Sequence, residues 1–396
     1  MNLTDVDDKT IKGSQKEGTS LKDYTERYKK AFFEDIEKLN IEKAEFYPEA
    51  TNNIKEMKGI IKKLLEKKIA YIGDDKSIYY SISKFKDYGN LSKIKLKGLK
   101  AGARVNQDEY EKENVSDFAL WKAWDKNDGD VFWESDFGKG RPGWHIECSA
   151  MSIKYLGETF DIHAGGVDLI FPHHENEIAQ SEGATGKKFA NFWLHNEHLL
   201  VDGKKMSKSL GNFYTLRDLL EKGHNPASIR YLLLATHYRQ KLNFSFKGLE
   251  SADNAVERIN NFIFNLKSAK SDNPKSNVDS LIGKAEKDFE KCMDDDLNIS
   301  EALGVIFDFI REINKSDISQ KSADKIIKTM KKFDGVLGIL EEKEDKITEN
   351  IESLIREREE ARKKKDFKKA DEIRDNLKEK GIILEDSKDG VRWKNS

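Results

Sequence analysis

The sequence predicts an α/β nucleotide-binding domain, then an all-α bundle, then a small α/β tail, and three observations predict it. Glycine, histidine and tryptophan concentrate between residues 121 and 238, and all 8 histidines fall between His145 and His237. From about Phe246 the text turns into long apolar stripes at three- and four-residue steps. The tail pairs a helical pattern with two short β-prone runs around Asp389-Gly390. The expected domains are 1–245, 246–342 and 347–396.

In chain order, Leu21, Tyr24, Tyr28, Phe32, Ile36 and Leu39 mark an amphipathic helix, and Ile54, Met57, Ile61, Leu64 and Leu65 mark a second. Gly73-Asp74-Asp75 separates β-prone pieces of a hairpin between Tyr71 and Ile82. In the helical region Val256, Ile259, Ile263 and Leu266 form one stripe; Leu303, Ile306, Phe307, Ile310 and Ile313 form another. A polar linker with Pro274 spans 270–277, and the charged run 343–346 precedes the tail. The tail reads as one helix over 351–380, ended by Gly381, then Ile382-Ile383-Leu384 and Val391-Arg392-Trp393.

Bulk properties narrow the class. The net charge of −2 announces no polyanion partner, so any basic footprint is local. No apolar run approaches the ~20 residues that span a bilayer, and the start reads as no secretory signal. Two cysteines, Cys148 and Cys292, form no disulfide framework and fit a reducing, cytoplasmic setting.

Three constellations carry chemistry. Cys148, His173, His174, Glu175 and Glu177 are all zinc-ligand types; His173 and Glu177, four apart, share one helix face behind Pro172. A buried thiol beside a capped helix start accounts for the same residues without a metal. Lys205-Met206-Ser207-Lys208-Ser209 sets two cations and two hydroxyls on a loop, which suits a polyphosphate; a solvated basic loop is the bland reading. Asp161-Ile-His-Ala-Gly-Gly-Val-Asp-Leu169 runs an apolar strand into paired glycines and an acid, as at a nucleotide site or an ordinary turn.

Together these strings resemble cysteinyl-tRNA synthetase, a class I aminoacyl-tRNA synthetase family, in order and spacing. The resemblance rests on Gly140-Arg-Pro-Gly-Trp-His-Ile-Glu-Cys-Ser-Ala-Met151, the 161–169 run, Phe171-Pro-His-His-Glu-Asn-Glu-Ile-Ala-Gln180 and the 205–209 loop. Asn2-Leu-Thr-Asp-Val-Asp-Asp-Lys9, Ala101-Gly-Ala-Arg-Val105 and Asp117-Phe-Ala-Leu-Trp-Lys122 add to it. The resemblance implies a Rossmann-type catalytic sheet with an insertion, then the anticodon-side bundle and tail. It implies one zinc ion on Cys148, His173 and Glu177, with Thr4, Trp144, His163 and His195 around substrate cysteine. Gly165, Gly166 and Asp168 would bind adenosine, Lys205 and Lys208 would be catalytic, and Lys208 would touch the ATP phosphates. Arg362, Phe367, Asp371 and Asp386 would read anticodon bases. The partners implied are tRNA(Cys), L-cysteine and ATP with Mg2+; a monomer without membrane attachment is expected.

The family's opening strand, its His-Ile-Gly-His signature and its first zinc cysteine have no counterpart in this sequence. The reading is therefore of a truncated gene product, of a split enzyme with a separate N-terminal polypeptide, or of a non-catalytic tRNA-binding paralogue; 1–396 alone is expected to activate cysteine poorly. A cysteine:amino-sugar ligase of thiol biosynthesis is the other alternative, and the tail, which those ligases lack, favours tRNA.

Overall fold

Asp7 starts the first helix by a reciprocal cap: its carboxylate accepts the Thr10 N–H at 2.6 Å, and Thr10 Oγ1 accepts the Asp7 N–H at 2.8 Å. A computed structural model describes residues 1–94, 117–267, 277–340, 349–379, 382–387 and 390–395. The 101–105 string, residues 270–276 of the linker and the 343–346 run lie outside the described residues.

Three helices open the chain: α1 (Asp8–Glu17), α2 (Leu21–Lys38) and α3 (Ile54–Glu66). Both expected stripes form helices. The α3 stripe is buried through Ile54, Met57, Ile60, Ile61 and Leu64, whereas α2 leaves Tyr28 exposed and packs its rings laterally against Tyr47. The expected hairpin is β1 (Ala70–Ile72) and β2 (Ile78–Tyr80), which continues into β3 (Phe118–Ala123) and β4 (Gly140–Pro142) as a four-stranded antiparallel sheet. It packs with α3, α4 (Trp144–Leu156) and α5 (Glu175–Thr185) around Ile61, Tyr80, Trp121 and Ile146. Tyr80 finishes the seam by donating its hydroxyl to Ala179 O at 2.8 Å.

Parallel pairing comes in two separate pieces. Strand β5 (Phe160–Gly166) runs into α5 and returns as β6 (Ala190–Asn196), in register Ile162↔Phe192 and Gly165↔His195. Strands β7 (Leu199–Val201) and β9 (Leu242–Phe244) form the other parallel pair, with β8 (Lys204–Lys205) antiparallel on β7. Among the described residues the largest sheet is thus the antiparallel one. One face of β5–β6 packs through His163 and Trp193 on Phe189; the other shows Ile162 and Phe192 at 57% and 66% exposure.

Helices α6 (Leu216–Glu221) and α7 (Pro226–Leu234) lead into the bundle of α8 (Phe246–Lys267), α9 (Val278–Asp294), α10 (Ile299–Ile313) and α11 (Gln320–Leu337). In α8 the buried position is Phe262, not Ile263; in α10 it is Phe309, while Phe307 takes the Arg258 guanidinium 5.1 Å over its ring. These shifts of one residue follow the 3.6-residue repeat, which drifts off any strict stripe. No helix of the described residues is long and apolar enough to cross a membrane.

Residues 1–339 form one compact unit and 340–396 a second. The second holds α12 (Glu349–Lys363), α13 (Phe367–Glu379) and the hairpin of β10 (Ile382–Ser387) with β11 (Gly390–Asn395). The single tail helix expected from the sequence is two. Lys365 takes φ 63° and Asp366 accepts the Lys369 N–H at 3.1 Å, so a left-handed stop and a fresh N-cap meet in adjacent residues.

Candidate active site

Two helices carry the chemical centre. Gly143 precedes α4, and a Cβ there would run into the Ala119 carbonyl, so glycine lets the helix start hard against β3. One turn into α4 stands Cys148, next to a face that presents Trp144 and His145. Residues Ile170–His174 form a π turn, after which α5 begins; His173 therefore lies just ahead of α5 and Glu177 in its first turn.

The ligand atoms of Cys148, His173 and Glu177 lie within 4.8 Å of one another, and those of His163, His174 and Glu177 form a second such group. His173 Nε2 is 3.0 Å from Glu177 Oε1 and His163 Nε2 is 3.3 Å from Oε2. Neither N–H is aimed well enough to satisfy those fully buried oxygens. A buried carboxylate in ion-pair range but without an aligned donor suits a cation. Tetrahedral Zn–S and Zn–N/O bonds of about 2.3 and 2.0–2.2 Å put ligands roughly 3.3–3.8 Å apart, so small side-chain shifts bring this donor set into range.

Charges follow the geometry. Burial raises the Glu177 carboxyl, but His173 and His163 outweigh it and hold the group well below the usual carboxylate range. Burial, then Glu177 and Glu147, push the Cys148 thiol well up, against Asn2, whose Nδ2 donates to Sγ at 3.3 Å. His174 is pushed down to about 3, first by burial and then, against the pull of Glu177, by the neighbouring imidazoles. His195 is lowered by burial and by His163. Hydrogen bonds at 2.8 Å join His145 Nδ1 to His173 Nδ1 and His174 Nδ1 to His195 Nε2. Trp144 lies over His173 with ring centres 4.3 Å apart, and Trp193 lies near His163, His174 and His195.

The structure brings Cys148, His173, Glu177, His163, His195 and Trp144 together. Gly165 belongs with them: a Cβ there would meet His174 Cε1 at 2.7 Å and Nε2 at 2.9 Å. Gly166 ends β5, and a Cβ there would collide with the Asp168 carboxylate, which stands exposed in the Val167–Leu169 turn. Thr4 lies exposed between Leu3, bridged to Glu49, and buried Asp5. Glu175, grouped with the metal-ligand types in the sequence, points away. Its carboxylate accepts Gly89 N–H, Ser92 N–H and the Ser92 hydroxyl at 2.9, 2.6 and 2.8 Å.

The lysine–serine loop stands on β8. Lys205 is exposed there, and Lys208 opens a short 3₁₀ turn capped by Ser207. Asn212 braces the loop, accepting Ser207 N–H at 2.9 Å and donating to Lys205 O at 3.2 Å. In the second unit Phe367 is 61% exposed and Asp371 lies one turn on along α13, 3.3 Å from Arg374. Arg362 sits in the last turn of α12, and Asp386 on β10 pairs with Val391. Sequence reasoning passed over Asn2 and His145. Both lie inside quoted strings, but no spacing rule links residue 2 to 148 or aims His145 at His173.

The fold is similar to solved class I enzymes at low identity. It superposes on a Mycobacterium tuberculosis methionyl-tRNA synthetase in complex with methionyl-adenylate with a TM-score of 0.57, at 14% identity over 78% of this chain and 73% of that one. A putative arginyl-tRNA synthetase from Campylobacter jejuni gives 0.53, at 14% identity over 81% and 68%. Residues 1–254 match the family described as tRNA synthetases class I (C) catalytic domain, 288–341 the DALR domain, and 344–393 the cysteinyl-tRNA ligase anticodon binding domain. Fold and catalytic domain are those of a class I aminoacyl-tRNA synthetase.

The whole chain is 53% identical to the cysteine–tRNA ligase of Protochlamydia amoebophila, over 84% of that protein, and 51% identical to that of Brachyspira hyodysenteriae, over 86%. The chain belongs to the cysteine–tRNA ligase family, ATP-dependent ligases with cysteine, ATP with magnesium, and tRNA as substrates.

Proposed function

We propose that this chain binds cysteine against a zinc ion held by Cys148, His173 and Glu177 and joins it to tRNA(Cys). The observation that carries the reading is the buried meeting of thiol, imidazole and carboxylate within 4.8 Å. Zinc bound there would take a soft thiolate far ahead of a hydroxyl, the distinction between cysteine and serine that a shape-reading pocket makes poorly.

In the reaction the cysteine carboxylate attacks the α-phosphorus of ATP; a carboxylate–phosphorus bond forms and pyrophosphate leaves. The terminal ribose hydroxyl of tRNA then attacks the cysteinyl carbonyl, and AMP leaves. Trp144, His163, His195 and Thr4 line the amino-acid pocket. His174, pushed down to about 3 chiefly by burial, stays neutral and keeps charge out of it. Gly165 and Gly166 let the nucleotide approach the end of β5, with Asp168 on the ribose. Lys205 and Lys208 offset the charge that grows on the phosphate oxygens. Residues 246–342 bind tRNA, and Arg362, Phe367, Asp371 and Asp386 in 347–396 read the anticodon, the exposed Phe367 ring stacking on a base. The exposed apolar face of β5–β6 supports a further polypeptide segment packing over it, since parallel sheets are ordinarily covered on both sides. The enzyme works as a cytoplasmic monomer.

Charging of a tRNA(Cys) transcript with labelled cysteine tests this. Lys208→Ala is expected to lower kcat about a hundredfold with little change in KM for cysteine, and unaltered charging would contradict the role of the loop.

A further inference from the structure

Where α7 passes the ends of two other helices, one guanidinium closes both. Arg230 Nη1 donates to Leu39 O and Asn40 O at 2.9 Å each, at the C-terminus of α2; Nη2 donates to Val336 O at 3.3 Å and Nε to Leu337 O, at the C-terminus of α11. Helix C-termini carry unpaired carbonyls and the negative end of the helix dipole, so a cation shared between two of them caps both. Burial lowers the Arg230 pKa, with Asp334 opposing, yet a guanidinium stays charged. Asn40 completes the junction by donating Nδ2 to Gly338 O at 3.1 Å. Gly338 has φ 62°, and a Cβ there would meet Arg230 Nε, Cζ and Nη2 at 2.9–3.1 Å, so the seat accepts only glycine without displacing the fork.

The three helices come from different regions of the chain. Helices α2 and α7 belong to the region matched as catalytic domain, while α11 is the last bundle helix and leads at Gly338 into the tail. We propose that Arg230 is a positioning residue that holds the end of α11 on the catalytic region, so that one tRNA molecule engages the catalytic region and the helical bundle at once. This rests on the reading of residues 246–342 as tRNA-binding. Two contacts on one rigid RNA gain from each other only if their spacing is held, and the gain vanishes when it is not. A lysine lacks the planar fork that four carbonyls in two directions require.

The test is binding of three RNAs to the full chain: intact tRNA(Cys) transcript, its acceptor-stem minihelix and its anticodon stem-loop. Arg230→Ala and, independently, Gly338→Ala, which keeps the arginine but evicts it, are expected to weaken intact tRNA roughly tenfold and to leave each half within about twofold. Arg230→Lys is expected not to restore the affinity. Unchanged binding of intact tRNA by Arg230→Ala would overturn the proposal, and so would equal losses for all three RNAs, which would mark unfolding. Wild-type chain that binds none of the three would overturn the tRNA-binding reading itself, and the proposal with it.

Discussion

At the scale of single residues, the site centres on a buried carboxylate that is poorly satisfied without a cation. Glu177 is fully buried and its oxygens face His163 and His173 without an aligned donor. Glu177→Gln keeps the shape and removes the charge, so zinc affinity is expected to fall at least tenfold, read by competition with a chromophoric chelator. Acid acts in the same direction. Burial holds the Cys148 thiol protonated through the neutral range, and a metal must displace that proton. Zinc affinity should therefore fall by about tenfold per pH unit as pH drops from 8 to 6, with proton release measurable by calorimetry in buffers of different ionisation enthalpy. Gly165→Ala places a methyl group on the His174 ring, so it should disturb the His174–His195 hydrogen bond and weaken cysteine binding with little loss of zinc. Residue chemistry alone marked five ligand types, Cys148, His173, His174, Glu175 and Glu177; the choice of 148, 173 and 177 came from the family resemblance, and their ligand atoms do cluster. The part played by Glu175 was not legible, since its donors lie in a loop more than eighty residues earlier.

Elements were legible wherever a repeat was long. The α3 and bundle stripes appear as read, apart from one-residue drifts at Phe262 and Phe309, because an apolar face repeated over three turns leaves little choice. The tail helix was misread as continuous because charge dominates both halves and masks a local signal: Asp366, an N-cap residue just ahead of Phe367. Asp366→Ala is expected to cost the tail about 1 kcal/mol, seen as a lower denaturation midpoint of that unit. Where α1 meets the antiparallel sheet, buried Arg141 bonds Asp128 through Nε at 2.7 Å and reaches Asp8 through Nη2. Arg141→Ala strands the buried Asp128 carboxylate and should cost about 3–5 kcal/mol in urea unfolding. Burial raises the Asp8 carboxyl, but Arg141 and Lys122 bring it below its ordinary value. Its folded pKa thus lies under the unfolded one, so its contribution is complete above pH ~4 and fades as acid takes the pH through the folded value.

For the molecule as a whole, composition pointed to three regions, while packing joins the first two into one unit of 1–339 and leaves 340–396 as the second. No composition shift between 245 and 246 forecasts that, because the joining contacts, Arg230 among them, are made by residues far apart in the chain. A parallel sheet was expected from the family resemblance, and parallel pairs are present. Its division into two pairs beside a larger antiparallel sheet was not expected, since strand partners depend on which edges meet. The most direct test of the central claim is a titration of the cobalt-substituted chain with cysteine and with serine, followed in the visible and near-ultraviolet. About one cobalt ion per chain and a new thiolate-to-metal band on adding cysteine, absent with serine and absent in Cys148→Ala, is the predicted result. Failure to take up metal, or the same spectrum with either amino acid, would contradict it.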